Sequence, residues 1–187
     1  MRGRVIVTKR CNRKCKGCCN DYLGMVDKVQ FEDLFKYEEI IITGGEPMMI
    51  SERVVELIHR LKFGGYQGKI WIYTANSRRL NRYWAVEMVL DEVDGITYTL
   101  HYSKKEDNLK KDLVDLRRLD QYLADHAWSR EGKSDRLYID SRIFNQEYVD
   151  SLKYKWAAVK SLEWKENGDC PLPEGEELVF YDLEAEG

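Results

Sequence analysis

The chain has 187 residues, a formal net charge of -3, 43% hydrophobic and 34% charged residues, which describes one folded domain and excludes a disordered or strongly basic, nucleic-acid-coating chain. No stretch approaches the roughly 18 consecutive apolar residues of a membrane helix, and Val5-Ile6-Val7 is too short for a signal-peptide core, so a cytoplasmic protein is expected. Five cysteines, four of them within nine residues, do not suit a secreted disulfide framework and point to metal ligation.

Short β-rich runs alternate with helical patterns along the whole chain, the signature of βα units around a parallel sheet. The first strand, Arg4 to Lys9, runs into Cys11-x3-Cys15-x2-Cys18, and the second, Glu39 to Thr43, runs into Gly44-Gly45-Glu46-Pro47. Ser51 is placed to cap a helix whose Val54, Leu57, Ile58 and Leu61 fall at helical spacing and which Gly64-Gly65 ends. Lys69 to Thr74 reads as the third strand, and Leu80 to Leu90, with Trp84 and Met88 four apart, as a helix. Ile96 to His101 is the fourth strand. A longer helix from about Asn108 to His126 carries the stripe Leu109, Leu113, Leu116, Leu119 and Leu123 and packs on the core. Arg136 to Ile139, a helix over Gln146 to Trp156, and Val159 to Trp164 complete the pattern, with six strands the natural count. Beyond them, Asn167-Gly168 and Pro171-x-Pro173 break the periodicity, and Glu177 to Leu183 reads as a final extended segment. With no linker or repeat, residues 1–187 form a single domain in which 165–187 is an acidic C-terminal extension.

The ends differ in sign. Arg2, Arg4, Lys9, Arg10, Arg13, Lys14 and Lys16 precede any acid, whereas Glu174, Glu176, Glu177, Asp182, Glu184 and Glu186 fill the tail. Two solvated surfaces, touching or not, explain this. The alternative is a positive rim that attracts an anionic substrate or an acidic electron donor.

In parallel βα units the carboxyl ends of the strands carry the active-site groups. Here those ends lead into the cysteines, the Gly-Gly-Glu turn, Thr74-Ala75-Asn76, His101-Tyr102-Ser103 and Ser141-Arg142. Soft thiolates suit zinc or an iron-sulfur cluster. A structural zinc site needs four closed ligands, usually two separated pairs, and the chain offers only the adjacent Cys19 or the distant Cys170 as a fourth. Three clustered thiolates instead leave one iron of a four-iron cluster without a cysteine, since such clusters take four. Cys19 then reads as a small buried residue. Glycines at 44 and 45 permit close approach of a ligand to the backbone, Glu46 adds negative charge, and Pro47 stiffens the exit. His101 is placed for proton transfer or simply finishes its strand, and His59 and His126 fall on helices.

Order, spacing and strand context resemble the radical S-adenosylmethionine superfamily, whose signature is C-x3-C-x2-C after the first strand of a partial (β/α)6 barrel, followed by a Gly-Gly-Glu type turn. The resemblance runs from Val5 to about Trp164. It implies an α/β partial (β/α)6 barrel, a 4Fe-4S cluster on Cys11, Cys15 and Cys18, and S-adenosylmethionine on its unique iron. It implies contacts to that cofactor from Gly44, Gly45 and Glu46, with Asn76, Ser103 and Arg142 as further polar contacts and Arg142 suited to its carboxylate. The implied activity is reductive cleavage of S-adenosylmethionine, with a flavodoxin or ferredoxin as electron donor, to a 5'-deoxyadenosyl radical that abstracts hydrogen from the substrate.

Gly17 stands where many members carry an aromatic residue against adenine. Lys16-Gly17-Cys18-Cys19-Asn20 and the aromatic third strand Ile70-Trp71-Ile72-Tyr73-Thr74 are similar to the activases of anaerobic ribonucleotide reductase, although the glycine-rich segment and arginine preceding their cluster have no counterpart. Two substrates are open: a glycyl radical enzyme covering the barrel, or a small nucleotide-like molecule of the kind taken by relatives of the 7-carboxy-7-deazaguanine synthases. A zinc or iron-sulfur module without catalysis is the reading of another class.

Overall fold

The computed structural model describes residues 1–15, 18, 26–78, 80, 83–102, 106–163 and 172–185. Its centre is an all-parallel sheet of seven strands: β1 (Arg2–Ile6), β2 (Glu39–Thr43), β3 (Lys69–Thr74), β4 (Gly95–Leu100), β5 (Arg136–Asp140), β6 (Ala158–Leu162) and β7 (Glu176–Phe180). They lie in the order β6-β5-β4-β3-β2-β1-β7. The expected count of six is therefore corrected to seven. The tail segment reaches back across the molecule and pairs with β1 from Arg2↔Glu176 to Ile6↔Phe180.

The α-helices among the described residues are α1 (Ser51–Phe63), α2 (Trp84–Glu92), α3 (Glu106–Asp125) and α4 (Gln146–Asp150). Because β1 to β6 follow one another in simple spatial order, right-handed crossovers place the connecting helices on the same face of the sheet. The packing follows that rule. Val5, Ile40, Ile42, Ile70, Ile72, Ile96, Tyr98, Leu137 and Ile139 form one core with Val54, Leu57, Ile58 and Leu61 of α1, Val86 and Val89 of α2, and Leu116, Leu119 and Leu123 of α3, while Tyr148 and Val149 of α4 pack against it. The alternate residues Arg4, Ile6, Ile41, Trp71, Tyr73, Arg136 and Tyr138 occupy the opposite face, outside this core.

Three helix expectations change. Ser51 is the first residue of α1 and not its cap, because a 3-10 turn over Pro47–Ile50 precedes it, and its buried hydroxyl has no partner among the described residues. Trp84 opens α2 and is 56% exposed, so it contributes little to the core stripe. The Gln146 to Trp156 helix stops at Asp150, since the Lys153 and Tyr154 amides turn to the buried carboxylate of Asp120 and the Trp156 indole follows at 3.0 Å.

Candidate functional site

The parallel ladder between β1 and β2 continues past the strands and sets the two motif loops side by side. Val7 donates to the Thr43 carbonyl at 2.9 Å, Gly45 to Thr8 at 2.7 Å and Glu46 to Arg10 at 2.7 Å. Gly44 has φ 132°, and a Cβ there would lie 2.6 Å from the Thr8 carbonyl oxygen. A Cβ on Gly45 would overlap the Arg10 carbonyl. The close approach these glycines permit is thus to the chain itself, and it holds the turn against the root of the cysteine loop.

Glu46 is 2% exposed and ties this turn to the end of β3. Its carboxylate accepts from the Met48 amide at 3.1 Å, the Thr74 hydroxyl at 2.6 Å and the Ala75 amide at 2.9 Å. Burial pushes its pKa up, against the pull of these donors.

Cys11, Cys15 and Cys18 are free thiols, each partly exposed, in the loop that leaves β1. The Arg13 amide lies 3.4 Å from the Cys11 sulfur. Burial first, then the neighbouring Cys18, pushes the Cys15 thiol up to about 11, and burial also raises Cys11. Among the described residues no three His, Cys, Asp or Glu side chains converge as a metal-binding group. The donor set nevertheless fits a thiophilic cationic centre in kind: the thiols oppose one another's ionisation, and a bound cation relieves that opposition.

The loop is anchored by Arg13, which lies between the first two cysteines. Its guanidinium donates to Asp112 of α3 at 2.8 Å and to the Ala75 carbonyl at 2.9 Å. Asp112, 1% exposed, also accepts from Arg78 at 3.2 Å, and Arg78 reaches Asp115 at 3.1 Å. Sequence reasoning missed this network. Its signal was present: Asp112 and Asp115 each precede a core leucine, Leu116 and Leu119, by one helical turn and so share the buried face of α3.

The remaining candidates are distributed around the same strand ends. Asn76 is buried; its side-chain oxygen accepts from the Arg78 amide at 3.0 Å, and its own amide donates to the Thr74 hydroxyl at 3.0 Å. Arg142 is engaged by Asp140 through two contacts of 2.8 and 2.6 Å, with its guanidinium 4.5 Å from the Tyr102 ring centroid. Asp140 is thus a carboxylate partner of Arg142 within the chain itself. His101, partly buried, has its pKa lowered to about 4 by burial and by Arg13. Ser103, Gly17, Cys19 and Cys170 lie outside the described residues.

The two charged ends also meet. Glu176 accepts from Arg4 at 2.6 Å, Glu184 from Thr8 at 2.6 Å and Arg10 at 3.1 Å, and Glu177 from Tyr37 at 2.8 Å. Arg2, Arg4 and Arg10 of the basic segment thus pair with acids of the tail. No helix among the described residues is long and apolar enough to cross a membrane. The sequence matches no protein-family model and no curated protein.

Proposed function

We propose that this chain is a radical S-adenosylmethionine enzyme built on a partial (β/α)6 barrel. The observation that carries the reading is the hydrogen-bonded contact between the two motif loops: the C-x3-C-x2-C loop and the Gly-Gly-Glu turn leave adjacent parallel strands and are joined by the Gly45 and Glu46 amides. A cofactor held by one loop therefore lies within reach of the other.

Cys11, Cys15 and Cys18 would hold the 4Fe-4S cluster, which with S-adenosylmethionine supplies a 5'-deoxyadenosyl radical for hydrogen abstraction. The protein's own part is positional. Gly44 and Gly45 seat the turn, Glu46 fixes it to β3, and Arg13 fixes the cysteine loop to α3. The substrate is a small nucleotide-like molecule or a glycine of a partner protein, with a flavodoxin or ferredoxin delivering the electron.

The test is anaerobic reconstitution with iron and sulfide, followed by dithionite and S-adenosylmethionine. A brown protein with about four irons per chain that releases 5'-deoxyadenosine is expected, and Cys15→Ala should lose both iron and product. A colourless zinc protein, or equal product from the variant, would overturn the reading.

A further inference from the structure

Beyond β7 the chain keeps following β1 toward the cysteine loop. The Tyr181 amide donates to the Ile6 carbonyl at 2.9 Å and the Leu183 amide to the Val7 carbonyl at 3.3 Å. Tyr181 and Leu183 are each 3% exposed, and α1 holds both: Arg60 donates to the Tyr181 hydroxyl at 3.2 Å and Arg53 to the Leu183 carbonyl at 2.8 Å. Residues 181–184 are therefore a strap fixed to the core.

Glu184 is where this strap meets the loop. One of its carboxylate oxygens accepts from the Thr8 hydroxyl at 2.6 Å and the other from the Arg10 guanidinium at 3.1 Å. The same Thr8 hydroxyl accepts from the Arg10 amide at 3.0 Å, which closes a tight bend over residues 8–10. Cys11 is the next residue. On its other side the bend offers the Thr8 and Arg10 carbonyls to the Gly45 and Glu46 amides, both at 2.7 Å. One short bend thus receives the strap and the Gly-Gly-Glu turn and delivers the first cysteine.

Thr8 is fully buried, so its hydroxyl needs an acceptor, and among the described residues that acceptor is Glu184. A hydroxyl donating to a carboxylate at this distance makes a short, charge-assisted bond. The Arg10 pair is exposed and adds little binding energy, but it makes the carboxylate span both ends of the bend. Metal ligands function only when the groups behind them hold their geometry to within about 0.5 Å. Past Cys11 that support comes from Arg13, tied to Asp112 of α3. Before Cys11 it comes from Glu184.

We propose that Glu184 is a positioning residue for the group held by Cys11, Cys15 and Cys18, acting through Thr8 and Arg10, and that the strap is part of that site. The identity of the group as a 4Fe-4S cluster rests on the function proposed above. The control of the bend by Glu184 does not. The acidic tail is thereby a support of the cysteine loop and not an appendage to the domain.

Hydrogen exchange in the metal-free full chain, resolved at the Gly45 and Glu46 amides, tests the positioning directly. Glu184→Ala should exchange them faster than wild type by about tenfold or more. Glu184→Gln keeps an oxygen for the Thr8 hydroxyl and should stay within about threefold of wild type. Glu177→Ala removes another acid of the tail, bonded to Tyr37 away from the cysteines, and should match wild type. Glu184 lies past the last strand with its side chain 31% exposed, so its variants retain the fold. After anaerobic reconstitution, loss of iron to EDTA should be about tenfold faster in Glu184→Ala and restored in Glu184→Gln. The electron paramagnetic resonance spectrum of the reduced cluster should change and recover in the same two variants, which lost stability alone does not produce. Wild-type exchange or wild-type iron loss in Glu184→Ala, or equal effects in Glu177→Ala, would overturn the proposal. A wild-type chain that takes up no iron overturns the cluster reading instead, because the exchange measurement needs no metal.

Discussion

Arg13 occupies a position between two cysteines where a surface cation would be unremarkable, yet its side chain is 14% exposed and its partner Asp112 1%. A buried pair of this kind matters most when one member is removed, because the other is left charged and desolvated. Asp112→Ala strands Arg13 against a single carbonyl and also deprives Arg78 of a contact. We expect it to lower stability by about 3 kcal/mol, read as a shift in the urea midpoint without a change in slope. A wild-type midpoint would show that the network does not hold the loop.

His101 adds a pH dependence with a definite sign. Burial leads the lowering of its pKa from 6.5 to about 4, and the positive charge of Arg13 adds to it. The folded state keeps it neutral while the unfolded chain takes up a proton below about 6.5. Between those values the unfolded state binds more protons, so stability falls as pH drops from 6.5 to 4, by at most about 3 kcal/mol. Denaturant titrations of His101→Asn should show a flatter profile across that window. The lowered pKa of Asp140, held down by Arg142, acts in the same direction but at lower pH.

At the scale of elements, β7 shows how far local reading reaches. The extended character of Glu177 to Leu183 was legible from its composition and flanking prolines. Its partner was not, since the ion pair that ties Arg4 of β1 to Glu176 of β7 spans 172 positions of the chain. The strand is built into the fold from both sides: it pairs with β1, and Phe180 exchanges main-chain hydrogen bonds with Asp27 and Val29 at 2.9 and 3.0 Å. Val179 is 1% exposed at its centre. Val179→Asp places an unpaired carboxylate there, and we expect a loss of about 3 kcal/mol or more in chemical denaturation, with the acids that pair Arg4 and Arg10 released. Retained stability would mean that β7 is a dispensable edge. By contrast β2 and β3 were legible to the residue, because runs of β-branched and aromatic residues are bounded by breakers, Gly44 after one and Gly68 before the other. Ser51 misled because the capping rule is local, whereas Glu46 and Pro47 had already begun a turn upstream.

For the molecule as a whole, the opposite charges of its ends are mostly a consequence of topology. Pairs such as Arg10 with Glu184, whose side chains are 62% and 31% exposed, contribute little by themselves. They line a β1–β7 ladder whose main-chain bonds and buried Val5 and Val179 do the joining. The sequence by itself determined the alternation of strands and helices, the core stripe of α1 and α3, and the presence of the cysteine and glycine motifs at strand ends. These depend on periodicity and spacing within a few residues, where chain geometry is common to all proteins. Only the tertiary structure decided that Glu46 is consumed by β3, that Arg142 meets Asp140, that Arg13 crosses to α3, and that Glu184 of the tail reaches Thr8 beside the cysteine loop. Those pairings depend on which strands become neighbours and in which register, and that is settled by long-range packing rather than by any local run of residues.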